Sequence, residues 1–131
     1  MANILIVDDA VYSSLPLARF LGQLGHGVKC LTNGKDAVAT LITDTPDLVI
    51  VDGLPPEMGG PSFLEVMRSY VRLKSLPVIV LTGVADSPVL GRAWDARVNT
   101  VLRKDEATFE DIGRAVREAL HGPPSGGGQT L

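Results

Sequence analysis

The stretch Asp47-Leu-Val-Ile-Val-Asp52 places four apolar residues in a row between two acids. Three of the four are β-branched, which favours extended backbone. A short run that is apolar at every position, rather than at alternate positions, predicts a strand buried on both faces. Such strands are typical of parallel sheets that carry helices on both sides. The stretch therefore predicts one strand of a parallel sheet.

Four more short apolar segments lie along the chain, at residues 4–7, 28–31, 78–81 and 101–102. Each of the five is followed by a segment with helical apolar spacing and a candidate N-cap residue. These caps are Ser14, Asn33, Ser62, Ser87 and Thr108. Ser14 would begin a helix that runs to about Leu24, with Pro16 in its first turn. Strand and helix alternating in this way predict an α/β fold with right-handed crossovers.

The composition bounds the class of protein. A chain of 131 residues fits one domain, and 45% hydrophobic with 21% charged residues excludes wholesale disorder. The net charge of −3 shows no basic surplus for nucleic acid, and the single Cys30 excludes a disulfide framework. The apolar runs are too short for a membrane helix, and no signal-peptide pattern opens the chain. These features predict a cytoplasmic protein.

The end of the chain differs from the rest in composition. Residues 122–128 read Gly-Pro-Pro-Ser-Gly-Gly-Gly and have no apolar periodicity. Such a stretch is typical of a flexible tail or linker. We therefore expect the compact domain to occupy residues 1–121 and a tail or linker to occupy residues 122–131.

Polar residues follow four of the predicted strands, where the chain leaves the sheet. They are Asp8 and Asp9, Asp52, Thr82 and Lys104. The carboxyl ends of parallel strands share one edge, which is where such folds bind ligands. Clustered carboxylates repel one another unless a cation joins them, and hard oxygen ligands favour Mg²⁺ or Ca²⁺. A lysine and a hydroxyl beside that cation suit a phosphoryl group.

Each of these residues alone has an ordinary explanation, as a turn residue or a solvated charge. Their joint order is more specific, because it makes the chain resemble the receiver domain of bacterial response regulators from about residue 2 to residue 120. From Asp9 to Asp52, then to Thr82 and then to Lys104, the separations are 43, 30 and 22 residues. The resemblance rests on Ile4-Leu-Ile-Val-Asp-Asp9, Asp47-Leu-Val-Ile-Val-Asp52 with the following Gly-Leu-Pro-Pro-Glu-Met-Gly-Gly60, Val78-Ile-Val-Leu-Thr-Gly83 and Val101-Leu-Arg-Lys104.

The resemblance implies a flavodoxin-like fold, with a five-stranded parallel sheet in the order 2-1-3-4-5 flanked by five helices. It also implies roles for single residues. Asp52 matches the phosphoacceptor, Thr82 the switch hydroxyl and Lys104 the lysine that pairs with phosphate. The implied cofactor is Mg²⁺, with Asp9, Asp52 and the main-chain carbonyl of Leu54 as its protein ligands and Asp8 as an acidic neighbour that often acts through water.

The chain departs from the family pattern at four positions, none of which has a chemical role. Gly53 replaces a bulky apolar residue, Gly59 a common acid, Val101 an aromatic residue and Asp105 a proline. Because Asp105 is not proline, we expect the Lys104–Asp105 peptide bond to be trans.

The predicted function is that of a phosphoacceptor module in a two-component or phosphorelay system. Asp52 would take a phosphoryl group from a phosphohistidine on a sensor histidine kinase or a phosphotransfer protein. The domain would assist only its own phosphorylation and dephosphorylation, so it is not predicted to be an enzyme. It would signal to an output protein or effector domain, without contacting a membrane or nucleic acid itself.

Two alternatives remain open at the level of sequence. A pseudo-receiver would signal by protein contact without phosphate, and the departures at Gly53, Val101 and Asp105 give it some support. A phosphatase of the haloacid dehalogenase type would also use an aspartyl nucleophile with Mg²⁺. That class requires a second acid two residues after the nucleophile, where this chain has Leu54.

Overall fold

The computed structural model of the chain describes residues 2–8, 11–52, 61–82 and 98–121. Five strands form one sheet in which every neighbouring pair is parallel. They are β1 (Asn3–Asp8), β2 (Gly27–Leu31), β3 (Leu48–Asp52), β4 (Val78–Thr82) and β5 (Thr100–Arg103). Their order across the sheet is β2-β1-β3-β4-β5, which confirms the predicted topology.

The described residues contain four α-helices: α1 (Val11–Gln23), α2 (Gly34–Thr43), α3 (Pro61–Ser69) and α4 (Phe109–Leu120). A single turn of 3₁₀-helix, Val71–Leu73, follows α3. The fifth predicted helix, beginning at Ser87, lies outside the described residues, so four of the five predicted helices are seen. No helix in the described ranges is both long and apolar enough to span a lipid bilayer.

The core has two layers because successive strand residues point to opposite faces of the sheet. On one face, Leu5 and Val7 join the cluster that packs under α2 and α3. On the other face, Ile4 and Ile6 join the cluster under α1 and α4. All five residues of β3 are buried, as its continuous apolar sequence predicts for a strand covered on both sides.

Two predicted helix caps are confirmed. Asn33 Oδ1 accepts a hydrogen bond from the backbone N–H of Asp36 at 2.7 Å, and α2 begins at the next residue. Thr108 and Asp111 form a reciprocal capping box at the start of α4. Each cap satisfies helix N–H groups that have no partner within the helix.

Two predicted caps are wrong. Helix α1 begins at Val11, so Ser14 lies inside it, and Pro16 lies beyond its first turn. The reason is burial: Ser14 shares one helix face with Leu17 and Leu21 and is 1% exposed. Helix α3 begins at Pro61 rather than after Ser62. Proline is favoured at the first helical position, where its missing N–H has no intrahelical partner to lose.

Candidate functional site

The ends of the two central strands bring two acids side by side. Asp8 is the last residue of β1 and Asp52 is the last residue of β3. The parallel register pairs the two residues directly. Both are buried, at 3% and 5% exposure, because the apolar runs that precede them carry the strands through the core. The sheet therefore places two carboxylates together at its carboxyl edge.

The next two strands deliver a hydroxyl and an ammonium to the same edge. Thr82 ends β4, one residue past the position that pairs with Asp52, and is 8% exposed. The backbone N–H of Lys104 donates to the carbonyl of Thr82 at 2.8 Å. This bond continues the pairing of β4 and β5 by one residue, so Lys104 leaves the sheet beside Thr82.

Lys104 and Asp52 form the principal ion pair of this edge. Lys104 Nζ lies 2.8 Å from Asp52 Oδ1, with the lysine side chain 44% exposed and the aspartate side chain 4% exposed. Asp52 Oδ1 is buried and has no hydrogen-bond partner of acceptable angle among the described residues. The contact is a short ion pair between a buried carboxylate and a half-exposed ammonium.

The pKa of the Asp52 carboxyl is raised above its ordinary value of 3.8. The largest cause is burial, which penalises the charged form, and the charge of Asp8 acts in the same direction. The Lys104 ammonium opposes both by lowering the pKa. Burial and the neighbouring acid together outweigh the lysine, so a further cation at this edge would favour the ionised form of Asp52.

The two described acids suit a hard divalent cation. Mg²⁺ prefers carboxylate and carbonyl oxygens, and it is commonly held by one or two carboxylates together with phosphate. Asp52 Oδ1 is a buried oxygen without a well-angled hydrogen bond, and Asp8 stands next to it. Within the described residues no group of three His, Cys, Asp or Glu side chains could hold a metal. The predicted ligands Asp9 and Leu54 lie outside those residues.

The structure thus brings together four of the predicted site residues: Asp8, Asp52, Thr82 and Lys104. No cis peptide bond occurs in the described ranges, so the Lys104–Asp105 bond is trans as expected. Val101, where the family pattern has an aromatic residue, is partly buried against the cluster under α2 and α3.

One feature beside the site was missed by the sequence reasoning. Arg103, immediately before Lys104, forms ion pairs with Asp105 and Glu106. The signal was present as the run of two cations and two anions at residues 103–106.

Comparison with known proteins gives a consistent result. The sequence profile of the response regulator receiver domain matches residues 4–117. Protein PilH of Pseudomonas aeruginosa is 34% identical over 111 residues, which cover 83% of this chain and 92% of PilH. Transcriptional regulatory protein AfsQ1 of Streptomyces coelicolor is 32% identical over 130 residues, which cover 85% of this chain and 56% of AfsQ1. The chain therefore spans little more than half of that regulator.

A solved structure agrees with these relatives. The signal receiver domain of a signal transduction histidine kinase from Syntrophus aciditrophicus superposes with a TM-score of 0.84 at 28% identity. The superposition covers 100% of this chain and 98% of the other.

Proposed function

This chain belongs to the response regulator receiver domains of two-component systems, and from that membership we propose that Asp52 is its phosphoacceptor. The observation that carries the proposal is the 2.8 Å contact between Lys104 Nζ and Asp52 Oδ1, with Asp8 in direct register beside it. A domain that acted by protein contact alone would need neither a buried acid pair nor a lysine on one of its oxygens. The comparisons likewise favour neither of the two alternatives.

The proposed reaction is transfer of a phosphoryl group to the Asp52 carboxylate. A carboxylate oxygen attacks phosphorus and forms an O–P bond, while the P–N bond of a phosphohistidine breaks. The electron pair of the broken bond stays on the imidazole nitrogen. The product is an aspartyl phosphate, and water later removes the phosphoryl group. The attacking oxygen must be ionised, so the cations around Asp52 decide how much of the reactive form is present.

Lys104 would have two roles in this reaction. Before transfer, its ammonium favours the ionised form of Asp52. During transfer it would follow the developing charge on a phosphoryl oxygen, as a mobile point charge on a half-exposed stem. Thr82 would donate its hydroxyl to another phosphoryl oxygen, since β4 delivers it to the edge beside Asp52.

The proposed cofactor is Mg²⁺, held by Asp8, Asp9, Asp52 and the main-chain carbonyl of Leu54. When bound, the ion would neutralise charge on the phosphoryl oxygens. The buried acid pair supports this proposal, because those carboxylates repel one another until a cation offsets their charge.

The proposed partners follow from the reaction. The phosphodonor would be a sensor histidine kinase or a phosphotransfer protein in the cytoplasm. The downstream partner of the phosphorylated domain would be an output protein or an effector domain. Residues 122–131 would form a tail or a linker after the domain of residues 1–121. We propose that the domain assists only the phosphorylation and dephosphorylation of its own Asp52.

The proposed function is tested by Asp52→Asn with acetyl phosphate as donor in the presence of Mg²⁺. The amide cannot form an acyl phosphate, so labelling should be lost. Asp47→Asn is the matched control, because Asp47 precedes the same strand at its opposite end and binds the backbone N–H of Asn3. That variant should label as the wild type does. Undiminished labelling of Asp52→Asn would overturn the assignment.

A further inference from the structure

A run of four charges, Arg103-Lys-Asp-Glu106, follows the last strand beside the site. Arg103 Nη2 lies 3.0 Å from Asp105 Oδ2, and Arg103 Nη1 lies 3.4 Å from Glu106 Oε2. One guanidinium thus holds both acids of the run. Lys104 stands between Arg103 and Asp105 in the chain, and its ammonium is directed to Asp52 instead.

The backbone closes the same turn. The N–H groups of Glu106 and Ala107 both donate to the carbonyl of Arg103, at 3.1 and 2.8 Å. Lys104 is tied to Thr82 on the opposite side by its own N–H. The capping box of Thr108 then begins α4. The turn is therefore held by main-chain bonds, and it does not need the guanidinium of Arg103 to close.

The two acids are potential competitors for Lys104. Asp105 and Glu106 are 59% and 66% exposed, and they follow Lys104 directly in the chain. An exposed carboxylate can pair with an ammonium without the desolvation that Asp52 has already undergone. Two unpaired anions directly after Lys104 would also repel an anionic phosphodonor that approaches this lysine.

We propose that Arg103 is a positioning residue for phosphorylation: it occupies Asp105 and Glu106, so that Lys104 stays on Asp52 and the two acids add no unpaired negative charge beside it. This inference rests on the proposed function of Asp52. It goes beyond that function by assigning a role to three residues, Arg103, Asp105 and Glu106, to which the proposed reaction gives none. In this arrangement the guanidinium of Arg103 pairs with both carboxylates and so keeps them from pairing with Lys104.

The first test is the rate of labelling by acetyl phosphate with Mg²⁺. Arg103→Gln should label about three- to tenfold more slowly. This is the effect expected when the carboxylates of Asp105 and Glu106 lose their partner and repel the donor through partly screening solvent. Adding Asp105→Asn and Glu106→Gln to that variant removes both competitors and should restore the wild-type rate. Arg114→Gln is the matched control, since Arg114 forms a similar exposed ion pair with Asp111 away from the site. Its rate should equal that of the wild type.

The triple variant separates positioning from simple support of the turn. If Arg103 only stabilised the turn, removing its two partners as well would leave the rate low. A wild-type rate in Arg103→Gln, or a triple variant as slow as the single one, overturns the inference. A wild-type protein that takes no phosphate overturns the proposed function instead.

The second test does not depend on phosphorylation. The side-chain ¹⁵Nζ resonance of Lys104, assigned with Lys104→Arg, reports which carboxylate the ammonium contacts. Arg103→Gln should shift it, and the triple variant should return it to the wild-type position. Asp52→Asn gives the reference shift for a lost Asp52 contact. An unchanged resonance in Arg103→Gln contradicts the inference whatever the labelling shows.

Discussion

At the scale of single residues, Asp52 combines a buried carboxyl, an adjacent acid and one lysine. Its raised pKa has a direct consequence for stability. A group whose pKa is higher in the folded state stabilises the fold when it is protonated, below its ordinary value of 3.8. That contribution is lost as the pH rises through the folded pKa. At higher pH, where Asp52 ionises, Lys104 is therefore the neighbour that stabilises its charge.

Replacing Lys104 should expose this dependence. In Lys104→Met the cation is removed while the length of the stem is nearly kept, so Asp52 ionises with no ammonium beside it. We expect the free energy of unfolding at about pH 7.5, without metal, to fall by about 1–3 kcal/mol, a range reduced from that of fully buried pairs because Lys104 is half exposed.

The pH dependence of this loss is its signature. The deficit should shrink as the pH falls through the folded pKa of Asp52 and vanish below 3.8, where the carboxyl is neutral in both states. Urea denaturation at several pH values measures it. Lys74→Met, at an exposed position after the 3₁₀ turn, is the control. A deficit that stays constant with pH would show that Lys104 does not compensate the Asp52 charge.

The residues of the site could be predicted because each polar residue of suitable chemistry stands at the end of a predicted strand. Asp8, Asp52 and Thr82 each end an apolar run, so their place at the sheet edge follows from the strands. Arg103 was not predicted, because its role depends on which carboxylates its side chain reaches within a turn. An apolar pattern carries no information about that choice.

At the scale of elements, the helix caps show where sequence reasoning succeeds. Asn33 and Thr108 lie outside the core, so their side chains are available to the helix N–H groups. Ser14 has the same chemistry but lies on the helix face that packs inward with Leu17 and Leu21. A serine, threonine or asparagine is therefore an uncertain sign of a helix start where it shares an apolar helix face with the residues that follow.

The cap of α4 gives a test at this scale. Thr108→Ala removes the side-chain acceptor for the Asp111 N–H, which lies 3.0 Å away, and should lower the free energy of unfolding by about 1 kcal/mol. Thr43→Ala is the control: its hydroxyl donates to Ala39 within α2 at 2.9 Å and caps no N-terminus. Thermal or urea unfolding measures both. Equal losses in the two variants would contradict the capping account.

Acid should weaken the same cap. Hydrogen bonds from the Thr108 backbone and side chain lower the pKa of Asp111. Because the pKa of Asp111 is lower in the folded protein, its contribution to stability is present above the ordinary pKa of 3.8. That contribution is lost as the pH falls through the folded pKa of Asp111. The difference in the free energy of unfolding between the wild type and Thr108→Ala should therefore become smaller in acid.

The contact between α1 and α4 supplies another test. A Cβ built on Gly113 would lie 3.4 Å from two ring atoms of Phe20, at the near limit of ordinary van der Waals contact. Gly113→Ala should therefore keep the packing of the two helices. It should raise the free energy of unfolding by about 0.5–1 kcal/mol, because glycine is unfavourable in a helix interior. Gly113→Val carries two further methyl groups into the Phe20 ring and should destabilise. Destabilisation by alanine, measured in urea, would show that the helices already touch at their limit.

At the scale of the whole molecule, the sheet assembles a site from residues far apart in the chain. The short apolar runs predict the strands and their burial, and helix alternation predicts parallel pairing. The strand order, by contrast, rests on resemblance to the family, because composition and periodicity do not distinguish one order from another. The register that pairs Asp8 with Asp52 likewise required the structure.

Chemical trapping can locate the phosphoryl group on Asp52 without any substitution in the protein. The wild-type chain is labelled with acetyl phosphate and Mg²⁺ and reduced at once with sodium borohydride. An aspartyl phosphate is then converted to homoserine, which mass spectrometry locates in the sequence. We expect homoserine at position 52 alone. Homoserine at Asp8 or at any other aspartate, with Asp52 intact, would contradict this assignment.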